Sequence, residues 1–127
     1  MSRSSKVDEN MNTILGEKVE VRGDIHVKSG ILVHGIVEGN ITSTGTVRTA
    51  EGSKVVGKIS AVNVIISGKI KGDVIADNKI VLGEKSVLIG NLKAKILVIE
   101  EGSKFDGLSY MTDKPVQPET EENPAQD

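Results

Sequence analysis

A five-residue unit, apolar-x-Gly-x-apolar, recurs along this chain and leaves few folds open to it. It reads Val21-Arg22-Gly23-Asp24-Ile25, then Val37-Glu38-Gly39-Asn40-Ile41, Val55-Val56-Gly57-Lys58-Ile59, Ile70-Lys71-Gly72-Asp73-Val74 and Leu88-Ile89-Gly90-Asn91-Leu92. A sixth copy, Phe105-Asp106-Gly107-Leu108-Ser109, loses the final apolar position. The central glycines, Gly23, Gly39, Gly57, Gly72, Gly90 and Gly107, follow one another at intervals of 16, 18, 15, 18 and 17. A recurrence at this period marks a stack of equivalent structural units.

The units are made of strand. β-Branched residues dominate, and apolar positions mostly alternate, which suits a half-buried strand and not a 3.6-residue helical period. The segments span about four to six residues and end in Gly, Asn, Asp or Ser, residues that turn corners readily. Helix is excluded by the glycines, each costing about 1 kcal/mol in a helix interior. A second aliphatic group lies between units, at Ile31 to Val33, Val64 to Ile66, Ile80 to Leu82 and Ile96 to Ile99, with Val47 marking the remaining interval.

These features predict an all-β chain folded as a β-solenoid of about six coils. Each coil of about 17 residues supplies three short strands and three corners. Coils stacked about 4.8 Å apart make a rod about 29 Å long. The aliphatic columns fill the interior. Lys54, Lys58, Lys69, Lys71, Lys79, Lys85, Lys93 and Lys95 fall at outward positions. The six glycines read as corner residues. A phosphate-cradling role does not fit: Gly35 and Gly68 precede Gly39 and Gly72 by four residues, but no helix follows and no Gly-Lys-Ser/Thr occurs.

The division expected is a repeat domain over residues 13–111 between two disordered tails, 1–12 and 112–127. The first tail is polar, with two basic and two acidic residues. A weak membrane contact through Met1, Met11, Ile14 and Leu15 is the less favoured reading, because Ile14 and Leu15 already begin the repeat. The second tail holds all three Pro, five acidic residues, one Lys and a single Val. Such a composition buries too little surface to fold.

Composition narrows the function. The net charge of -2 and pI of about 5.7 point away from nucleic acid. No Cys is present, so thiolate metal sites and cysteine nucleophiles are excluded. No apolar segment suits a signal peptide or a spanning helix; the longest aliphatic stretch is Ile96-Leu97-Val98-Ile99. No catalytic, cofactor-binding or metal-binding residues are assigned. His26 and His34 read as surface histidines. Glu51, Glu84 and Glu101 occupy equivalent corners, which reflects the repeat and not carboxylate chemistry.

The ends of such a rod are its most reactive parts. A solenoid exposes unpaired strand edges and open interior at both ends unless a cap covers them. No amphipathic helix precedes Ile14 or follows Leu108. Phe105 reads either as a large plug closing the last coil or, with Leu108, as an adhesive face. Ile14, Leu15, Val19 and Val21 form the matching candidate face at the other end.

The chain resembles the bactofilins. The resemblance lies in Thr13-Ile14-Leu15-Gly16 followed by Val21 to Ile25, in Val33-His34-Gly35-Ile36-Val37-Glu38-Gly39-Asn40-Ile41, in Ile70 to Val74, and in the closing Ile99-Glu100-Glu101-Gly102-Ser103-Lys104-Phe105-Asp106-Gly107. It covers residues 13 to about 110. The resemblance implies a right-handed parallel β-helix of triangular section and a bacterial cytoskeletal protein in the cytoplasm. Such a protein polymerises without nucleotide into non-polar filaments, like end to like end. It also implies a scaffold in cell shape and morphogenesis, acting with cell-wall-modifying enzymes or membrane-associated proteins at the inner face of the membrane. Some bactofilins carry an N-terminal hydrophobic targeting segment; no convincing one is evident in this sequence, so direct membrane attachment is not assigned. Two rival readings are a left-handed hexapeptide acyltransferase, which requires a stricter six-residue pattern and a catalytic His, and a solenoid that binds a partner without polymerising.

Overall fold

The computed structural model describes residues 13–111; both tails assigned from the sequence lie outside the described residues. The chain winds through six coils of strand. The first coil holds β1 (Thr13–Leu15), β2 (Glu20–Arg22) and β3 (Ile25–Val27), and the second β4 (Ile31–Val33), β5 (Ile36–Glu38) and β6 (Ile41–Ser43). The third holds β7 (Thr46–Thr49), β8 (Lys54–Val56) and the start of β9 (Ile59–Ile66). The end of β9, β10 (Lys69–Lys71) and the start of β11 (Val74–Leu82) make the fourth. The end of β11, β12 (Val87–Ile89) and β13 (Leu92–Ala94) make the fifth. The sixth holds β14 (Ile96–Ile99), β15 (Lys104–Asp106) and β16 (Ser109–Met111). Most strands are three or four residues, shorter than the apolar pattern suggested. β9 and β11 are longer because each runs unbroken round a corner.

Every described pairing is parallel and joins one coil to the next, as a solenoid requires. Three strand columns form three faces. The first face is β2, β5, β8, β10, β12 and β15. The second is β3, β6, the starts of β9 and β11, β13 and β16. The third is β1, β4, β7, the ends of β9 and β11, and β14.

Alternation along each strand sends every other side chain inward. On the first face the inward column is Val21, Val37, Val55, Ile70, Leu88 and Phe105, the first position of the repeated unit. Its members from Val37 to Leu88 are completely buried. Ile41, Ile59, Val74 and Leu92 continue the core from the second face, and Ile31, Val33, Val47, Val64, Ile66, Ile80 and Leu82 from the third. The core is almost wholly aliphatic, since a narrow interior stacked at strand spacing accepts one branched side chain over another.

The three corners differ. Between the first and second faces every coil turns on the repeated Gly and one further residue, and all six glycines have positive φ. Here the residue after Gly builds a ladder. The Asn40 N–H donates to Asp24 Oδ1 at 3.0 Å, and the Lys58 N–H to Asn40 Oδ1 at 2.9 Å. The Asn91 N–H donates to Asp73 Oδ1 at 3.1 Å, and the Leu108 N–H to Asn91 Oδ1 at 3.0 Å. Lys58 interrupts the ladder, because an ammonium accepts no hydrogen bond.

Between the third and first faces the corner changes by two residues, and the corner between the second and third faces changes by one, two residues at Asp77-Asn78 against one at Val62; together they make the unequal intervals. Four residues turn the third-to-first corner at Gly16–Val19, Ala50–Ser53, Gly83–Ser86 and Glu100–Ser103; two suffice at His34-Gly35 and Ser67-Gly68. Three of the long corners are closed by a serine. Ser53, Ser86 and Ser103 donate through Oγ to the carbonyls of Ala50, Gly83 and Glu100 at 2.6, 2.7 and 2.8 Å. The recurring Glu-x-Ser at 51–53, 84–86 and 101–103 was the available signal for this device. Glu51, Glu84 and Glu101 do share one corner position, and Glu51 reaches across the short Ser67-Gly68 corner to Lys85 Nζ at 3.6 Å.

Candidate assembly surfaces

The two terminal coils differ from the other four in one physical respect. Among the described residues β1, β2 and β3 pair on one side only, and so do β14, β15 and β16. Their outer edges present backbone N–H and C=O groups in strand geometry, the arrangement that accepts a further strand.

Side chains at the C-terminal end show the same incompleteness. Register places Leu97 over Ile80, Ile99 over Leu82, Phe105 over Leu88 and Met111 over Ala94. The four lower residues are fully buried. Of the upper four, Leu97 and Phe105 are half-buried and packed against the core. Ile99 and Met111 are 53% and 48% exposed. Phe105 thus fills part of the mouth, and the rest stays open. Leu108 stands at the glycine corner, 59% exposed. Tyr110 shares the outward register of Lys93, so it flanks the mouth and does not fill it.

At the N-terminal end Leu15 lies in register with Val33, and Val21 with Val37. Leu15, Val21, Ile25 and Val27 pack on the core from one side and are only half-buried. Val19 is exposed on its corner. Ile14 points outward from β1, between inward Thr13 and Leu15, and so belongs to the rim and the third face.

Of the residues singled out from the sequence, the structure therefore gathers Leu15, Val19 and Val21 at one mouth and Phe105 and Leu108 at the other. The sequence analysis missed Ile25 and Val27 at the first mouth, and Leu97, Ile99 and Met111 at the second. The repeated unit already equates Ile25 with buried Ile41, whereas Val27, Leu97, Ile99 and Met111 are tied to their buried counterparts only by strand register.

Among the described residues no chemical cluster converges elsewhere. His26 and His34 are both exposed, one on the second face and one at a short corner. Among the described residues no group of three or more His, Asp or Glu is placed to hold a metal ion. A shallow depression of ≈ 330 Å³ lies between the corners at Glu84–Val87 and Glu101–Lys104, with carboxylates and ammonium groups interspersed. No helix among the described residues is long and apolar enough to cross a membrane.

Comparison with known proteins agrees with this architecture. Bactofilin from Myxococcus xanthus (strain DK1622), named BacP, is 28% identical over 113 residues, covering 89% of this chain and 46% of that protein. The chain thus spans about half the length of that curated relative. No solved structure matches significantly. The family model described as "Bactofilin: Polymer-forming cytoskeletal" matches residues 13–109, which takes in all six coils. The chain belongs to the bactofilin family of polymer-forming cytoskeletal proteins.

Proposed function

We propose that this chain is the subunit of a cytoskeletal filament, built by stacking β-coils end on end without nucleotide. The observation that carries the reading is the pair of unfinished mouths. Each leaves a full turn of strand edges unpaired and core side chains half-covered among the described residues. A second subunit continues the ladder and covers the aliphatic columns, so hydrogen bonding and burial act at one contact.

Family resemblance supports like ends meeting, which makes the filament non-polar. It also supports a scaffold in cell shape, positioned at the inner face of the membrane and holding cell-wall-modifying enzymes.

The test is sedimentation of purified full-length protein in nucleotide-free buffer, followed by negative-stain microscopy. Long unbranched filaments are expected. A monodisperse monomer at every concentration reached refutes the proposal.

A further inference from the structure

The outer side of the third face is unlike the other two. Its central outward column runs Ile14, Leu32, Arg48, Ile65, Val81 and Val98, one residue per coil, in unbroken register. Five of the six are aliphatic. Ile14 and Val98 are exposed, and Leu32, Ile65 and Val81 are partly exposed between buried neighbours. The adjoining column, Thr46, Asn63, Lys79 and Ile96, adds one more apolar residue, and neither column contains an acidic side chain. The equivalent column of the second face is His26, Thr42, Ser60, Ile75, Lys93 and Tyr110. The first face also has outward aliphatics, Ile36, Val56, Val87 and Ile89. Glu20, Lys54, Lys69 and Lys104 break up one of its outward columns, and Arg22, Glu38, Lys71 and Asp106 the other, so neither is continuously apolar.

We propose that this stripe is a lateral seam through which two filaments of this chain pair face to face. The inference rests on the filament proposed above. Size argues for filaments and against a pair of free subunits. The stripe is about 29 Å long and about 12 Å wide, on the order of 350 Å² per subunit. A stable dimer needs about 800 Å² per partner. One subunit's stripe is too small alone, but coil stacking joins the stripes into a continuous band. Both partners then repeat at the same 4.8 Å spacing, so their aliphatic ladders are commensurate, as in other dry sheet-to-sheet contacts.

Charge selects the orientation. In parallel register Arg48 opposes Arg48 and Lys79 opposes Lys79, which repel. Under a two-fold axis across the stripe, coils one to six face coils six to one. Ile14 then meets Val98, Leu32 meets Val81, and Arg48 meets Ile65. The guanidinium can extend past the stripe to water while its stem covers the isoleucine. The seam is therefore two-fold, with the same surface used by both copies.

The experiment compares full-length protein with the double variant Ile65→Thr, Val81→Thr. Both positions point out of the coil, and threonine keeps strand propensity. High-speed sedimentation counts all filaments, low-speed sedimentation counts only paired or bundled ones, and negative stain shows which are present. Wild type is expected to give paired filaments. The variant is expected to keep its far-UV circular dichroism and its high-speed pellet, and to lose the low-speed pellet. Absence of any wild-type filament refutes the assembly reading itself, whereas single wild-type filaments, or undiminished pairing in the variant, refute the seam alone. Loss of all filaments by the folded variant assigns the stripe to the end contact and also refutes the seam. Co-flotation of single wild-type filaments with phosphatidylglycerol vesicles, abolished in the variant, assigns the stripe to a lipid surface and overturns the pairing.

Discussion

Gly72 packs directly on Gly57 of the preceding coil: a Cβ built on Gly72 would stand 2.7 Å from the Gly57 carbonyl carbon, closer than any real side chain approaches. Gly39, Gly57 and Gly90 meet the glycine before them in the same way, while a Cβ on Gly23, which begins the column, meets nothing within 4 Å. The glycine column is thus a line of backbone contact down one corner of the rod.

That difference separates two causes of glycine's use. Within a single subunit Gly23→Ala bears only the positive φ, about 1–3 kcal/mol. Gly72→Ala must also push two coils apart, and is expected to cost at least about 3 kcal/mol. Thermal unfolding followed by far-UV circular dichroism should rank Gly72→Ala well below Gly23→Ala, with wild type highest. Equal losses at the two positions would show that conformation alone selects glycine here.

The side-chain ladder on the same corner has a gap at Lys58, between Asn40 and Asp73. An Asn there supplies the acceptor that lysine lacks, placed as Asn40 and Asn91 are placed. Lys58→Asn is therefore expected to raise stability by about 0.5–1.5 kcal/mol, the net value of one hydrogen bond. A denaturant midpoint unchanged or lowered at constant m-value would contradict this.

The ion pair between Lys85 and Glu51 invites the opposite expectation. Its side chains are 65% and 67% exposed and 3.6 Å apart. Exposed pairs contribute about 0–1 kcal/mol. Lys85→Ala should shift the denaturant midpoint little and leave sedimentation as in wild type.

Filament polarity can be read from a variant blocked at one end. Leu108 is the better position than Phe105, because Phe105 packs on the core and its loss risks the fold. If like ends meet, Leu108→Arg removes the C-terminal contact and leaves the N-terminal one, so assembly stops at dimers. Analytical ultracentrifugation should find a discrete dimer with wild-type circular dichroism. A monomer would mean unlike ends meet.

Much of this was legible because a solenoid writes its interior into the sequence at a near-constant period. The inward columns of the first and second faces follow directly from the apolar-x-Gly-x-apolar unit. The third face was harder. In Ile31-Leu32-Val33, Val64-Ile65-Ile66 and Ile80-Val81-Leu82 all three residues are aliphatic, so composition cannot say that the middle one points to solvent. Only register exposes that column. The open mouths were foreseen, but Ile99 and Met111 were not, since each is recognised only by the buried residue beneath it. The Ser53, Ser86 and Ser103 corners are not legible from the Glu-x-Ser recurrence alone, because the serine's role depends on a carbonyl three residues earlier that only the folded turn brings within reach.

The central claim is that coils stack along the filament axis across subunit boundaries. X-ray fibre diffraction from aligned filaments tests it directly, because the strand spacing of about 4.8 Å lies along the direction of stacking. The account predicts that reflection on the meridian, parallel to the fibre. The same spacing on the equator, meaning rods laid side by side across the filament, would contradict it.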